Sequence, residues 1–138
     1  MKVVVDTNIL FSFFRENPVR SLIVNAKDFG LQLFTPAYAF GELRNNKKYL
    51  MKYAKLKTDE EIEFILKSLL LFIETKPMQS FEECKERAKI ICPDQKDTPF
   101  FALALKLKAN IWSNEPLLKR QSQIKVVTTA ELRRLVDQ

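Results

Sequence analysis

Asp6, Glu42, Asp97 and Glu115 are the residues of this chain best placed for chemistry. Asp6 closes Val3-Val4-Val5, a β-branched run that reads as a short strand buried on both faces, and a second apolar run, Ile9-Leu10-Phe11, follows at once. A charge between two apolar segments is costly unless something compensates it. One compensation is local, since Asp6, Thr7 and Asn8 are all good N-cap residues for a helix starting near Asn8. The other is a ligand at the carboxyl end of a first parallel strand, where open α/β sheets place their sites. Asp97 opens a helix, Phe100 to Leu107, that is apolar on nearly every side. Glu115 follows the strand-like Ile111-Trp112-Ser113, whose end falls on the same sheet edge as Asp6 if the sheet is parallel. Glu42 is the only acid from Leu31 to Thr58, a segment holding the six bases Arg44, Lys47, Lys48, Lys52, Lys55 and Lys57.

Each acid also has a plain role open to it. Asp97 could cap its helix, and Asp94 could be the site acid in its place. Glu115 could be a first-turn acid favoured by the helix dipole, and Glu42 could pair with a surface lysine. If the four converge, they need a cation. Two carboxylates ~4 Å apart repel by about 4 kcal/mol at an effective dielectric near 20, and four would raise each other's pKa values strongly. A hard divalent ion such as Mg²⁺ or Mn²⁺ prefers carboxylate oxygen. It can acidify a water and clamp a phosphodiester for in-line attack.

Composition narrows the remaining chemistry. The chain has no histidine, which excludes Ser-His-Asp triads, Cys-His dyads and histidine-bound zinc. Gly30 and Gly41 are the only glycines, so there is neither a P-loop nor a dinucleotide fingerprint. Lys plus Arg number 23 against 17 acids, a formal charge of +6 that favours a polyanionic partner, nucleic acid first. Cys84 and Cys92 are expected to be free, because the chain opens in strand-like sequence without a signal peptide. No apolar run approaches the ~18 residues that span a bilayer, so a cytoplasmic location and no membrane partner are expected.

The elements that must hold these acids follow from periodicity. Val19, Leu22, Ile23 and Ala26 recur at helical spacing before Gly30, a C-cap. Leu31–Phe34 is a second strand. Thr35-Pro36 reads as an N-cap and first-turn proline for a helix running to about Lys55. Thr58 with Glu61, Ser80 with Glu83, and Thr128 with Glu131 are capping boxes. The first opens a helix carrying Ile62, Ile65, Leu66 and Leu69, the second a helix to about Ile91, and the third a last helix. Phe72–Glu74, Asn110–Ser113 and Lys125–Val127 are further strands. Strands separated by helices predict an α/β fold, a three-layer α/β/α sandwich with a mostly parallel central sheet, as one domain over 1–138.

Val3-Val4-Val5-Asp6-Thr7-Asn8 resembles the opening of PIN-domain ribonucleases, the family that includes VapC-type toxins. Asp94-Gln95-Lys96-Asp97-Thr98-Pro99-Phe100-Phe101-Ala102-Leu103-Ala104-Leu105 and Ile111-Trp112-Ser113-Asn114-Glu115 resemble it more closely, and Phe40-Gly41-Glu42-Leu43 falls where the family keeps its second acid. The resemblance implies a PIN-like fold with Asp6, Glu42 and Asp97 as the core metal-binding and catalytic acids and Glu115 as the fourth. Thr7, Asn8 and Ser113 would be polar supports. It implies a Mg²⁺- or Mn²⁺-dependent endoribonuclease on single-stranded RNA, leaving a 5′-phosphate and a 3′-hydroxyl. As a toxin it would have an antitoxin partner covering the site, and relatives often form homodimers. Lys47, Lys48, Lys52, Lys119 and Arg120 would track the RNA backbone.

One departure matters. The family usually has Asp where this chain has Glu115, and a misplacement of about 1 Å can cost on the order of 10²-fold in rate. A PIN-like RNA- or protein-binding module with a weakened metal site is therefore the rival reading. Phosphotransfer at Asp6 fits less well, because the dehalogenase-like phosphatases need an acid two residues on, where this chain has Asn8.

Overall fold

The β-branched run of the sequence becomes the centre of the molecule. In the computed structural model, which describes residues 1–137, strand β1 (Lys2–Val5) carries Val3, Val4 and Val5 fully buried. β2 (Gln32–Pro36) pairs on one side of it and β4 (Asn110–Trp112) on the other. β3 (Ile73–Lys76) lies outside β2 and β5 (Val126–Val127) outside β4. The order is β3-β2-β1-β4-β5 and every described pairing is parallel, with Val4 between Phe34 and Ile111. The chain winds first one way from β1 and then the other. A crevice therefore opens at the carboxyl ends of the strands beside β1.

Crossovers between parallel strands are right-handed in nearly all cases, and with this strand order that rule divides the helices between the two faces. α1 (Thr7–Ser12), α2 (Pro18–Val24), α3 (Tyr38–Asn45), α4 (Lys47–Ala54) and α5 (Asp59–Leu69) belong to the connections that run from β1 to β3. α6 (Lys85–Ile91) and α7 (Thr98–Leu107) return on the opposite face to β4, and α8 (Thr129–Val136) follows β5. This is the expected three-layer sandwich. α7 lies against β1, β2 and β4 with Phe100 through Ala104 all buried, which is why it is apolar all round. Among the described residues no helix is long and apolar enough to cross a membrane, and Cys84 and Cys92 are free thiols.

Three local expectations are corrected. Thr35 and Pro36 do not start a helix but complete β2, whose pairing extends to Pro36 opposite Lys76. The Thr35 hydroxyl, fully buried, donates to the Val5 carbonyl at 2.9 Å. The helix expected to reach Lys55 is broken at Asn46 into α3 and α4, where the Asn46 amide turns back to donate to the Glu42 carbonyl at 2.8 Å. Ser80 and Glu83 form no capping box. The Ser80 hydroxyl donates to Pro77, Glu83 pairs with Lys106, and two 3₁₀ turns precede α6. Gly30 takes the left-handed conformation foreseen for it, φ 74°, but closes a 3₁₀ turn (Ala26–Phe29) that follows α2. The boxes at Thr58–Glu61 and Thr128–Glu131 are both formed.

Candidate metal centre

The four acids meet. Asp6, Glu42, Asp97 and Glu115 line one small pocket of about 170 Å³ at the carboxyl edge of the sheet, together with Thr7, Asn8, Phe11, Tyr38 and Lys96. Asp6 takes the N-cap position of α1 yet makes no capping bond with its side chain. The ladder carries on into it, through its N–H to the Trp112 carbonyl at 3.1 Å. Its carboxylate accepts instead from the Ser113 hydroxyl at 2.7 Å, and that hydroxyl in turn accepts the Glu115 N–H at 3.1 Å. Ser113, fully buried at the end of β4, therefore fixes one acid by its side chain and a second through its backbone.

Asp97 stands at the N-terminus of α7, also without a capping bond. Asp94 is the residue that caps, accepting from the Lys96 N–H at 3.1 Å and pairing with its ammonium at 3.8 Å. That contact separates the two candidates, because Asp97 is left free to face the pocket. Its Oδ2 is buried and has no hydrogen-bond partner. A buried acceptor without a partner carries a desolvation cost of about 1–3 kcal/mol. Glu42, on α3, is half-buried and accepts from the Thr7 hydroxyl at 2.9 Å. Asn8 lines the pocket from an exposed position on α1.

The electrostatics match the geometry. Burial pushes the Asp97 carboxyl up to about 7, helped by the charges of Asp6, Glu115 and Asp94. Asp6 is also raised, first by burial and then by Glu115, against the pull of the Ser113 hydroxyl. Among the described residues, no three acidic or thiol groups form a ready-made metal cage. The four carboxylates line one small pocket, with one oxygen unpartnered. Its donors are all hard oxygens, the set that suits Mg²⁺ or Mn²⁺.

Five contributors were not foreseen: Lys96 and Phe100, on either side of Asp97, and three more. Tyr38 lies one helical turn before Glu42, its hydroxyl 3.5 Å from the Lys96 carbonyl. Burial and the Glu42 charge raise its phenol, which stays protonated. Asn46, one turn after Glu42, and Phe11, one turn after Thr7, complete the wall. The i+4 spacing around Glu42 and Thr7 was the signal that could have found all three.

The basic residues divide. Lys47 is engaged by Glu63 at 3.5 Å and Asp59 at 3.8 Å, and Lys119 pairs with Glu131. Lys48, Lys52 and Arg120 are exposed, and among the described residues no acid pairs with them.

Comparisons with known proteins agree with this architecture. A family model described as PIN domain matches residues 4–135. A solved structure of VapBC2 from Rickettsia felis bound to a DNA fragment from their promoter contains a chain of similar fold. The TM-score is 0.64 at 17% identity, covering 93% of this chain and 98% of that one. No individually curated protein matches.

Proposed function

The chain belongs to the PIN-domain family, and from that premise we propose that it is a divalent-metal-dependent endoribonuclease acting on single-stranded RNA. The observation that carries the reading is the convergence of Asp6, Glu42, Asp97 and Glu115 on one pocket, with Asp97 Oδ2 buried and unpartnered. Asp6, Asp97 and Glu42 would hold Mg²⁺ or Mn²⁺, with Glu115 completing the set. Bound there, the ion would offset the carboxylate repulsion and polarise a phosphodiester and a water. The chain's own residues do the positioning. Ser113 aims Asp6, Thr7 aims Glu42, and the packing of α7 against the sheet fixes Asp97. The protonated Tyr38 hydroxyl is a donor at the pocket wall. Hydrolysis would leave a 5′-phosphate and a 3′-hydroxyl.

A small protein partner of antitoxin type fits the fold likeness to a chain of the VapBC2 assembly. A homodimer has its surface on the apolar groove at Phe13, Phe64, Ile65, Leu71 and Phe72, where Phe64 and Leu71 are 71% and 80% exposed. A monomeric mass in solution would remove the homodimer.

The open spacing of the acids favours one second reading, an RNA- or protein-binding module whose site no longer closes on an ion. Labelled single-stranded RNA with Mn²⁺, with and without EDTA, separates the two. Cleavage that EDTA abolishes, and that Asp6→Asn and Asp97→Asn both lack, is the expected result. Equal cleavage by all three proteins would mean a contaminating nuclease. Silence in all, with no Mn²⁺ binding above that of an unrelated acidic protein, would establish the module.

A further inference from the structure

We propose that the groove between α1 and α4 is a base-stacking subsite for the unpaired bases of a single-stranded nucleic acid, with Tyr49 and Tyr53 as its platform. The identity of this ligand rests on the nuclease reading. The groove has a volume of about 510 Å³ and is lined by Asn8, Phe11, Ser12, Asn46, Tyr49 and Tyr53. Asn8, Phe11 and Asn46 also line the carboxylate pocket. A strand held at the acids therefore has a continuous path into the groove.

The aromatic groups are ordered as a ladder. Tyr49 and Tyr53, one turn apart on α4, have near-parallel rings with centroids 6.3 Å apart and planes 15° from each other. Phe11 meets Tyr49 edge-on, at 5.7 Å and 71°. The Arg15 guanidinium lies over the Tyr53 ring, 5.2 Å from its centre. Tyr49 is 60% exposed, so its ring is spent on no core.

Charge selects the occupant. No acid lines the groove. Lys48 and Lys52 stand beside the tyrosines on α4 and Arg15 at the far end, and among the described residues none of the three has an acid partner. Aromatic faces flanked by unpaired cations are how proteins bind single strands without reading their sequence. Every base has a π-face, and the cations follow the phosphates. Paired bases keep their faces inside a helix, so a duplex gains nothing here.

The test uses the full chain carrying Asp6→Asn, in EDTA, so that no cleavage is needed. Fluorescence anisotropy follows a short labelled single-stranded RNA, the same length with abasic positions, and the same length as a duplex. Tyr49→Ala is expected to weaken binding of the intact single strand about 5- to 150-fold, and Tyr49→Phe to restore it to within about 2-fold. The abasic strand and the duplex should bind weakly and ignore Tyr49→Ala. Tyr49 is largely exposed, and an unchanged thermal midpoint confirms folding. Undiminished binding by both Tyr49→Ala and Tyr53→Ala overturns the proposal, as does abasic RNA binding as tightly as intact RNA, or no binding at all. Loss of a dimer on Tyr49→Ala with RNA binding unchanged would make the groove an interface between copies instead. The readout is binding alone, so a failed nuclease assay leaves this result standing, and a failed binding result leaves the nuclease assay to be judged by its own controls.

Discussion

The carboxylate site has two unlike halves. Asp6 and Asp97 sit at 5% and 6% exposure, one ending the central strand and the other opening the most buried helix. Glu42 and Glu115 are half-buried, one on a helix flank and the other in the segment after β4. The aspartates are short and are held by the sheet core, so their carboxylates have little freedom. The glutamates approach on longer side chains from elements with more room. The difference teaches where the site spends its rigidity: a charge is forced into low dielectric by the aspartates and adjusted by the glutamates.

The sharpest way to break this contrast is Asp97→Asn. It should cost about 10²- to 10³-fold or more in Mn²⁺-dependent cleavage, the scale of losing one preorganised electrostatic group, and it should raise the melting temperature in EDTA by removing a buried charge. A variant that loses activity and is also less stable without metal would place Asp97 in ordinary helix capping. Glu115→Asp comes next. If the longer side chain overshoots, shortening it should raise cleavage by as much as about 10²-fold, and a rate that falls instead would mean that Glu115 is already well placed.

Ser113→Ala tests the support beneath both halves. The Asp6 carboxylate loses its donor and the Glu115 N–H its acceptor, and Mn²⁺ affinity should drop about 10-fold, at the low end for such supporting groups. Calorimetric titration reads this directly.

The pH dependence follows from the raised aspartates. Asp97 is raised to about 7 in the folded chain from an ordinary 3.8. Between those values the folded state binds more protons than the unfolded one, so metal-free stability should fall as pH rises from about 4 through about 7. Urea melts in EDTA at pH 5 and pH 8 measure it, and Asp97→Asn should flatten the difference. Lys119→Ala, removing a lysine already paired with Glu131, should change RNA binding by less than about 2-fold. A larger loss would return Lys119 to the RNA path.

The halves also differed in how well they could be read from sequence. Val3-Val4-Val5 before Asp6, and the all-apolar helix after Asp97, have patterns that few environments explain, and both came out as read. The basic run of α4 concealed what the folded surface resolves, since Lys47 turns toward α5 while Lys48 and Lys52 stay free. Tyr49 and Tyr53, set among these lysines, were passed over. Tyr49 is exposed and Tyr53 half-buried, which depends on how α4 leans on α1 and is encoded in no spacing. The break at Asn46 was missed because its side chain closes on a backbone carbonyl four residues back, a contact that propensity does not register. Thr35 misled because a threonine before a proline caps helices more often than it stitches the ends of two strands.

The position of β1 has a consequence for synthesis. Its partners are β2, some thirty residues later, and β4, more than a hundred residues later. Such distant pairings make folding slow and late, and chains grow from the N-terminus at about 5–20 residues per second. Asp6 emerges more than a hundred residues before Ser113, which aims it, and Glu115. A ribosome-bound chain short of β4 has neither the donor nor the fourth acid. If the pocket cuts RNA, the growing chain cannot complete it until β4 and the segment after it have been made.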